Sequence, residues 1–378
     1  MSTAAIEQPS AEQENIPATQ RAAVYRGVND VRVETVPVPE IGPGEALLRI
    51  DTCGICGTDL KKIHTGSHSA PRVFGHEMTG TIVRVGEGVR DFAVGDRVMS
   101  FHHIPCGQCY YCRKHTYAQC ETYKKVGATA GLGEPSGGGF AEYIRVMDWI
   151  VERGLVHIPD DIPFEQAAWI EPVNTCYKAI ELLHLQADET VLVIGQGPIG
   201  ILLAALAKRR CATVLTSDLY PERHATAARF GLHHPLDASS DIVAECKAAT
   251  QGRGADVALL AVGANPLITL AMNAIRPGGR VCLFAQTQHG EAPFDPAAVC
   301  MDEKTLMGSY SSSVDIQNEA IQCVFDGYRD GTFDLTRLIS HRFSLEDAEA
   351  GIELASHPVA ESMKIVLQPS LAATTKPL

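Results

Sequence analysis

A chain of 378 residues, 45% hydrophobic and 20% charged, has length for two or three compact units at roughly 150 residues each and ample material for a core. Its net charge of -13 argues against nucleic-acid partners, which need clustered Lys and Arg, and no apolar run reaches the ~18 residues of a membrane span. The N-terminus lacks a secretory h-region, so a soluble cytoplasmic protein is expected, with its twelve cysteines serving as thiols, core side chains and metal ligands rather than disulfides.

Residues 1–20, rich in Ser, Glu, Gln, Pro and Ala, read as a disordered leader. From 21 to 100, short Val-, Ile- and Thr-rich runs (AAVYRG, VRVETVPVP, EALLRIDTCG, GTIVRVGEG, DRVMSF) alternate with Gly, Pro and Asp turns. Helical periodicity is nearly absent, and a small β-barrel with functional loops is expected.

Within this region, Thr52-Cys53-Gly54-Ile55-Cys56-Gly57-Thr58-Asp59 and Gly75-His76-Glu77 bring a thiolate, an imidazole and a carboxylate into glycine-flanked turns. Those groups suit an open catalytic zinc site, which keeps one position for water or substrate. Glycines 54, 57 and 75 are expected to let the backbone turn sharply around one ion. Alone, Cys56 and His76 are weak evidence, since a buried thiol and a packed core imidazole account for them more simply.

Cys106, Cys109 and Cys112, in two successive Cys-x-x-Cys steps, are followed by Cys120. Four thiolates close a tetrahedron, which predicts a structural zinc stapling a lobe at about 103–123. Further on, the strand YIRV and a helical stretch from Pro163 to Ile170 lead to Glu171-Pro172-Val173-Asn174. Proline suits a first helical turn, so Glu171 sits at a helix mouth, facing a cleft or simply complementing the helix dipole.

From 190 the texture changes. TVLVI, LTSD, ADVALLAVG and GRVCLFAQ alternate with helical segments, the pattern of a parallel sheet covered on both faces. Gly195-Gln196-Gly197-Pro198-Ile199-Gly200 follows the first of these strands and opens a helix, the context that makes this motif a pyrophosphate site. Asp218 ends the next strand at the ~20-residue spacing of a ribose-binding acid, which favours NAD over NADP. Arg223 either holds a 2′-phosphate or lines the adenosine pocket. Val262 and Phe284 complete the cofactor candidates. Two helices after about 310 precede a closing strand, MKIVL, expected to rejoin the first sheet, and the tail from 369 is expected to fray.

In order, CGICGTD, GHE, PCGQCYYCRKHTYAQC, GGGFAEY, EPV and VIGQGPIG resemble the zinc-containing medium-chain dehydrogenase/reductase family, in its sorbitol and threonine dehydrogenase branch. The resemblance spans about residues 21 to 368. It implies an α/β fold: a GroES-like barrel at 21–170 carrying both zincs, a Rossmann unit at 171–312, and a return to the barrel at 313–368. It further implies catalytic-zinc ligands at Cys56 and His76, with Glu171 in place of a second cysteine and Glu77 alternating with water or Glu171. Cys53 is not expected to be a ligand. A homodimer or homotetramer is expected.

The implied reaction is NAD-linked oxidation of a secondary alcohol, a polyol or related hydroxy compound, with threonine or an amino alcohol as the alternative. Thr58 takes the alcohol proton and passes it through the nicotinamide ribose toward Lys61 or solvent, while hydride moves to the nicotinamide. The family often has a histidine where this chain has Lys61, and His64 lies further along, so the relay departs from the pattern at its outer end. Rival readings are a zinc-free quinone or enone reductase, which metal analysis would reveal, and a non-catalytic NAD-binding sensor, which would turn over no alcohol.

Overall fold

The computed structural model describes residues 15–211, 213–285 and 290–373. The expected leader falls outside these over 1–14, as does the end of the expected tail over 374–378. The first strand, Thr19–Gly27, starts inside the stretch read as leader.

Val- and Ile-rich runs of the N-terminal part curl into two sheets. Thr19–Gly27 lies between Asp30–Pro37 and Arg72–Val73. An eight-stranded sheet is built around Ala46–Gly54, which pairs antiparallel with Glu77–Val85 along nearly its whole length. The chain's last strand, Lys364–Leu367, returns to this sheet, placing Val366 opposite Gly54 and Leu367 opposite Cys53. A lone C-terminal strand needs partners for its backbone groups, and this pairing supplies them on one side.

One helix breaks the all-β expectation. Gly57–Thr65 buries only Asp59 and Ile63, too few for an apolar stripe to show in sequence.

The central unit is a six-stranded parallel sheet. Its spatial order is His234–Asp237, Thr213–Asp218, Thr190–Ile194, Ala255–Leu260, Ile275–Leu283 and Thr305–Gly308. The central strand Thr190–Ile194 is apolar from Val191 onward because both of its faces are covered. Val191 and Val193 pack in the large core with Ile201 and Leu202 of the helix Pro198–Lys208. Leu192 and Ile194 point the other way, into a second core with Ala271 and Met272 of the helix Pro266–Ala274. The outermost strands, HPLD and TLMG, lack an alternating or continuous apolar run and were not foreseen. The same holds for ISHRF at Ile339–Phe343, beside the closing strand.

Two fully buried amides tie the segment after 312 to distant parts of the chain. Gln166 donates to the carbonyls of Val324 (2.8 Å) and Phe333 (3.0 Å), and accepts from Leu335 N–H (2.8 Å). Asn174, in the helix Ile170–Leu183, donates to Ser313 O at 3.1 Å and accepts from Ser313 N–H at 2.8 Å. Each amide satisfies buried backbone that would otherwise be left unpaired. Among the described residues no helix is long and apolar enough to cross a membrane.

Candidate functional site

Cys56 is the residue that caps the helix Gly57–Thr65. His76 and Glu77 come from the turn into the strand Glu77–Val85. The Cys56 thiol, a His76 ring nitrogen and a Glu77 carboxylate oxygen all lie within 4.8 Å of one another. That is a donor set for one ion with a position left open.

The surrounding packing explains two of the three glycines. Gly54 stands opposite Glu77, and a Cβ there would come 2.1 Å from the Glu77 carboxylate. Gly75 has φ +95°, and a Cβ would press on Phe140 and the Cys53 thiol. Gly57 differs from expectation: it is an ordinary helix residue with open space where a Cβ would go. Cys53 is fully buried outside the ligand set, and burial pushes its thiol well up.

The sequence reading missed two supporting side chains. Asp59, wholly buried on the helix Gly57–Thr65, sits 3.0 Å from His76 Nδ1 through Oδ1. A carboxylate in that place fixes the ring and leaves Nε2 as the metal-facing lone pair. Burial opposes the charges of this pair. Even so, Asp59 and Cys56 hold the His76 imidazole well above its ordinary range, while His76 and Lys62 hold Asp59 below its own. Lys364, from the closing strand, is 8% exposed, pairs with Glu77 and donates to Ile55 O at 3.1 Å. A lysine in an otherwise apolar strand was the one sequence signal that could have exposed it.

Glu171 lies in the first turn of the helix Ile170–Leu183 and is buried. The structure does not bring it into the three-residue set. Burial pushes its carboxyl up to about 7, with Glu77 reinforcing the shift and His76 opposing it. The group is therefore electrostatically part of the site.

Thr58 is half-buried near the start of the helix Gly57–Thr65, and Lys61 is exposed one turn on. His64 is engaged elsewhere: its ring nitrogens lie 2.6 Å from Asn29 Oδ1 and 2.9 Å from Ser356 Oγ.

The four thiols of Cys106, Cys109, Cys112 and Cys120 also lie within 4.8 Å of one another, and none forms a disulfide. Two of the separations are 3.6 Å (Cys109 to Cys112) and 3.9 Å (Cys106 to Cys112). A tetrahedron with 2.3 Å zinc–sulfur bonds has edges of about 3.8 Å, so the set fits zinc. Burial works against ionising Cys120, but the N–H of Cys106, at 3.3 Å, and Thr122 bring its thiol down to about 6.

In the coenzyme cleft, Gly195 has φ +96°, and a Cβ on Gly200 would collide with the Gly195 carbonyl. The helix Pro198–Lys208 then starts with Gly197 as cap and Pro198 and Ile199 in its first turn. Its unpaired N–H groups form an anion site. Asp218 accepts from Gln196 N–H (2.6 Å) and Tyr220 N–H (2.9 Å), with Arg223 at 3.4 Å. The Arg223 guanidinium lies 4.6 Å from the Tyr220 ring centroid. Val262 lies beside Gly195, and Phe284 follows the strand Ile275–Leu283, its N–H donating to Leu260 O at 3.3 Å. These groups gather where the parallel strands end, the usual ligand crevice of such sheets.

Residues 42–160 match the alcohol dehydrogenase GroES-like domain, and 198–326 match the zinc-binding dehydrogenase domain. The chain is 33% identical to an L-threonine 3-dehydrogenase of Rhizobium rhizogenes, over 85% of this chain and 90% of that one. It is 29% identical to a sorbitol dehydrogenase of Bacillus subtilis, over 94% and 99%. Two solved structures are similar at 28% identity, each covering 93% of this chain and 100% of the other. They are a zinc-binding dehydrogenase of Sinorhizobium meliloti bound to NADP, with a TM-score of 0.81, and the 2R,3R-butanediol dehydrogenase of Bacillus subtilis, with 0.80. The chain belongs to the zinc-containing medium-chain alcohol dehydrogenase superfamily. It is an oxidoreductase built for zinc and a nicotinamide dinucleotide.

Proposed function

We propose that this protein oxidises a secondary alcohol of the polyol or vicinal-diol type to the ketone, reversibly, with NAD as hydride acceptor. The observation that carries the reading is the Cys56, His76 and Glu77 set within 4.8 Å, with Asp59 orienting His76 and Lys364 pairing with Glu77. Residues 21–170 and 313–368 form the zinc-bearing unit, and 171–312 the nucleotide unit.

Cys56 and His76 hold the catalytic zinc with Glu77 or Glu171, and the four-cysteine lobe holds a second. Bound in the open site, zinc supplies the Lewis acidity that makes an alcohol proton easier to remove. Thr58 Oγ1 accepts that proton, and Lys61 stands at the solvent end of the same helix face. Asp218 takes the adenosine ribose hydroxyls, and the N–H groups of Ile199 and Gly200 take the pyrophosphate, with Pro198 setting the first helical turn. The cleft between units excludes water and holds the reacting carbons in line.

Threonine oxidation is the second reading, favoured by the 33% identity to a threonine dehydrogenase. A panel of polyols, vicinal diols and amino alcohols, followed by NADH absorbance, separates the two. Turnover of diols and polyols above amino alcohols supports the proposal, and the reverse order overturns it. Oligomeric assembly as a homodimer or homotetramer and a cytoplasmic location form part of the same proposal.

A further inference from the structure

His102 and His103 follow the strand Arg97–Ser100 and belong to neither metal set. The His102 ring centroid lies 4.7 Å from that of His76. His103 meets His102 edge-on at 3.9 Å, and Tyr123 meets His103 edge-on at 3.9 Å. The far end of this row is pinned. Tyr123 Oη lies 2.7 Å from Ser311 Oγ and 3.1 Å from Ser312 Oγ, and His103 Nε2 lies 3.5 Å from Ser311 Oγ. A rigid wall of three rings therefore runs from the catalytic imidazole to the segment that follows the coenzyme sheet's last strand, Thr305–Gly308.

His102 is only 9% exposed, and its buried Nδ1 has no hydrogen-bond partner. Buried polar nitrogens are seldom left so, and a bound group is the common explanation at a functional site. A neutral imidazole offers one donor and one acceptor, which suits a hydroxyl. The ring packs directly against His76, one of the three side chains of the metal set.

We propose that His102 is a specificity-determining residue whose imidazole hydrogen-bonds the hydroxyl next to the reacting carbinol, so that the site takes vicinal diols and polyols ahead of monohydric secondary alcohols. This rests on the alcohol-oxidation reading above and names the substrate class of that same site. A site built to bond a hydroxyl rejects the analogue lacking it, because its buried polar group is then left unpaired. An ordered water on the same nitrogen would serve both substrates alike, and the experiment distinguishes that case.

The test uses the zinc-loaded enzyme with a vicinal butanediol and sec-butanol, which differ by one hydroxyl. The expected wild-type kcat/KM favours the diol at least about tenfold. His102→Phe, which keeps the ring but not the nitrogens, brings the ratio toward one by slowing the diol alone, and His102→Gln, which keeps a donor and an acceptor, retains part of the preference. Calorimetric titration of the enzyme–NADH complex, where no turnover occurs, shows tighter diol than sec-butanol binding in the wild type and loss of the difference in His102→Phe. Equal wild-type affinities or rates for the two alcohols overturn the proposal, as does a diol preference that survives in a folded, metal-loaded His102→Phe. If that variant does not fold, the wild-type rate ratio and the wild-type calorimetric difference decide alone. Failure to oxidise any alcohol sinks the underlying functional reading, whereas brisk oxidation without diol preference sinks only this inference.

Discussion

Replacing Asp59 by Asn tests how the catalytic metal is held. The carboxylate is wholly buried, 3.0 Å from His76 Nδ1 and 3.9 Å from Lys62 Nζ. The amide keeps the shape and an acceptor oxygen but loses the charge that favours a basic, correctly oriented imidazole. A bare Coulomb figure of about 4 kcal/mol for charges 4 Å apart at an effective dielectric of 20 overstates the loss, because Lys62 and a bound cation share the carboxylate. Substitution of such supporting carboxylates typically weakens metal affinity or activity 10–100-fold, or about 1.4–2.8 kcal/mol. Zinc affinity at the open site, measured by chelator competition, should fall by that factor, with the four-cysteine lobe as internal control. Asp59 is held below the ordinary carboxylate range, so its stabilising contribution is complete above about pH 4 and is lost as pH falls through its depressed folded-state value. The variant should lose that share of the acid sensitivity. Wild-type zinc affinity and turnover in a folded Asp59→Asn would refute the reasoning.

Cys109→Ser should remove one zinc and lower the thermal midpoint, while Cys56→Ser should remove the other and leave the fold largely intact; two ions in Cys109→Ser would disprove the structural assignment. Asp218→Ser should shift preference toward NADP, leaving Arg223 free for the phosphate, and steady-state kinetics with both coenzymes would contradict this if the wild type is already faster with NADP. For Glu171, a ligand must ionise to bind. With its carboxyl pushed up to about 7, zinc affinity at the open site should climb as pH rises through that value and lose this slope in Glu171→Gln. A lowered midpoint with unchanged zinc content and turnover would leave Glu171 as a helix-terminus charge, worth only about 0.3–1 kcal/mol.

The features legible in sequence were those whose chemistry is local. The four cysteines, the Gly195-to-Gly200 turn with its flanking strand and helix, and the apolar strands Thr190–Ile194 and Ala255–Leu260 each carry their signal within a short window. The closing strand was legible because an apolar run at a chain end needs a sheet to join. Misses came where burial is decided at a distance. Asp59 reads as a surface acid in a polar helix until His76, 17 residues on, folds against it. Lys364 meets Ile55 across 309 residues. His102 carries no signal of its own in the sequence, and only the folded chain sets it against His76 and hides its Nδ1. The edge strands His234–Asp237 and Thr305–Gly308 were missed because their faces are largely uncovered, so burial demands no apolar pattern there.

The central claim is that Cys56, His76 and their carboxylate neighbours hold a zinc on which alcohol oxidation depends. Stepwise chelation with metal analysis, while NADH formation from a vicinal diol is followed, tests it most directly. The account predicts two zinc ions per chain at the outset, loss of turnover when the open site empties, and recovery on adding zinc. Undiminished turnover after that ion has gone would contradict it.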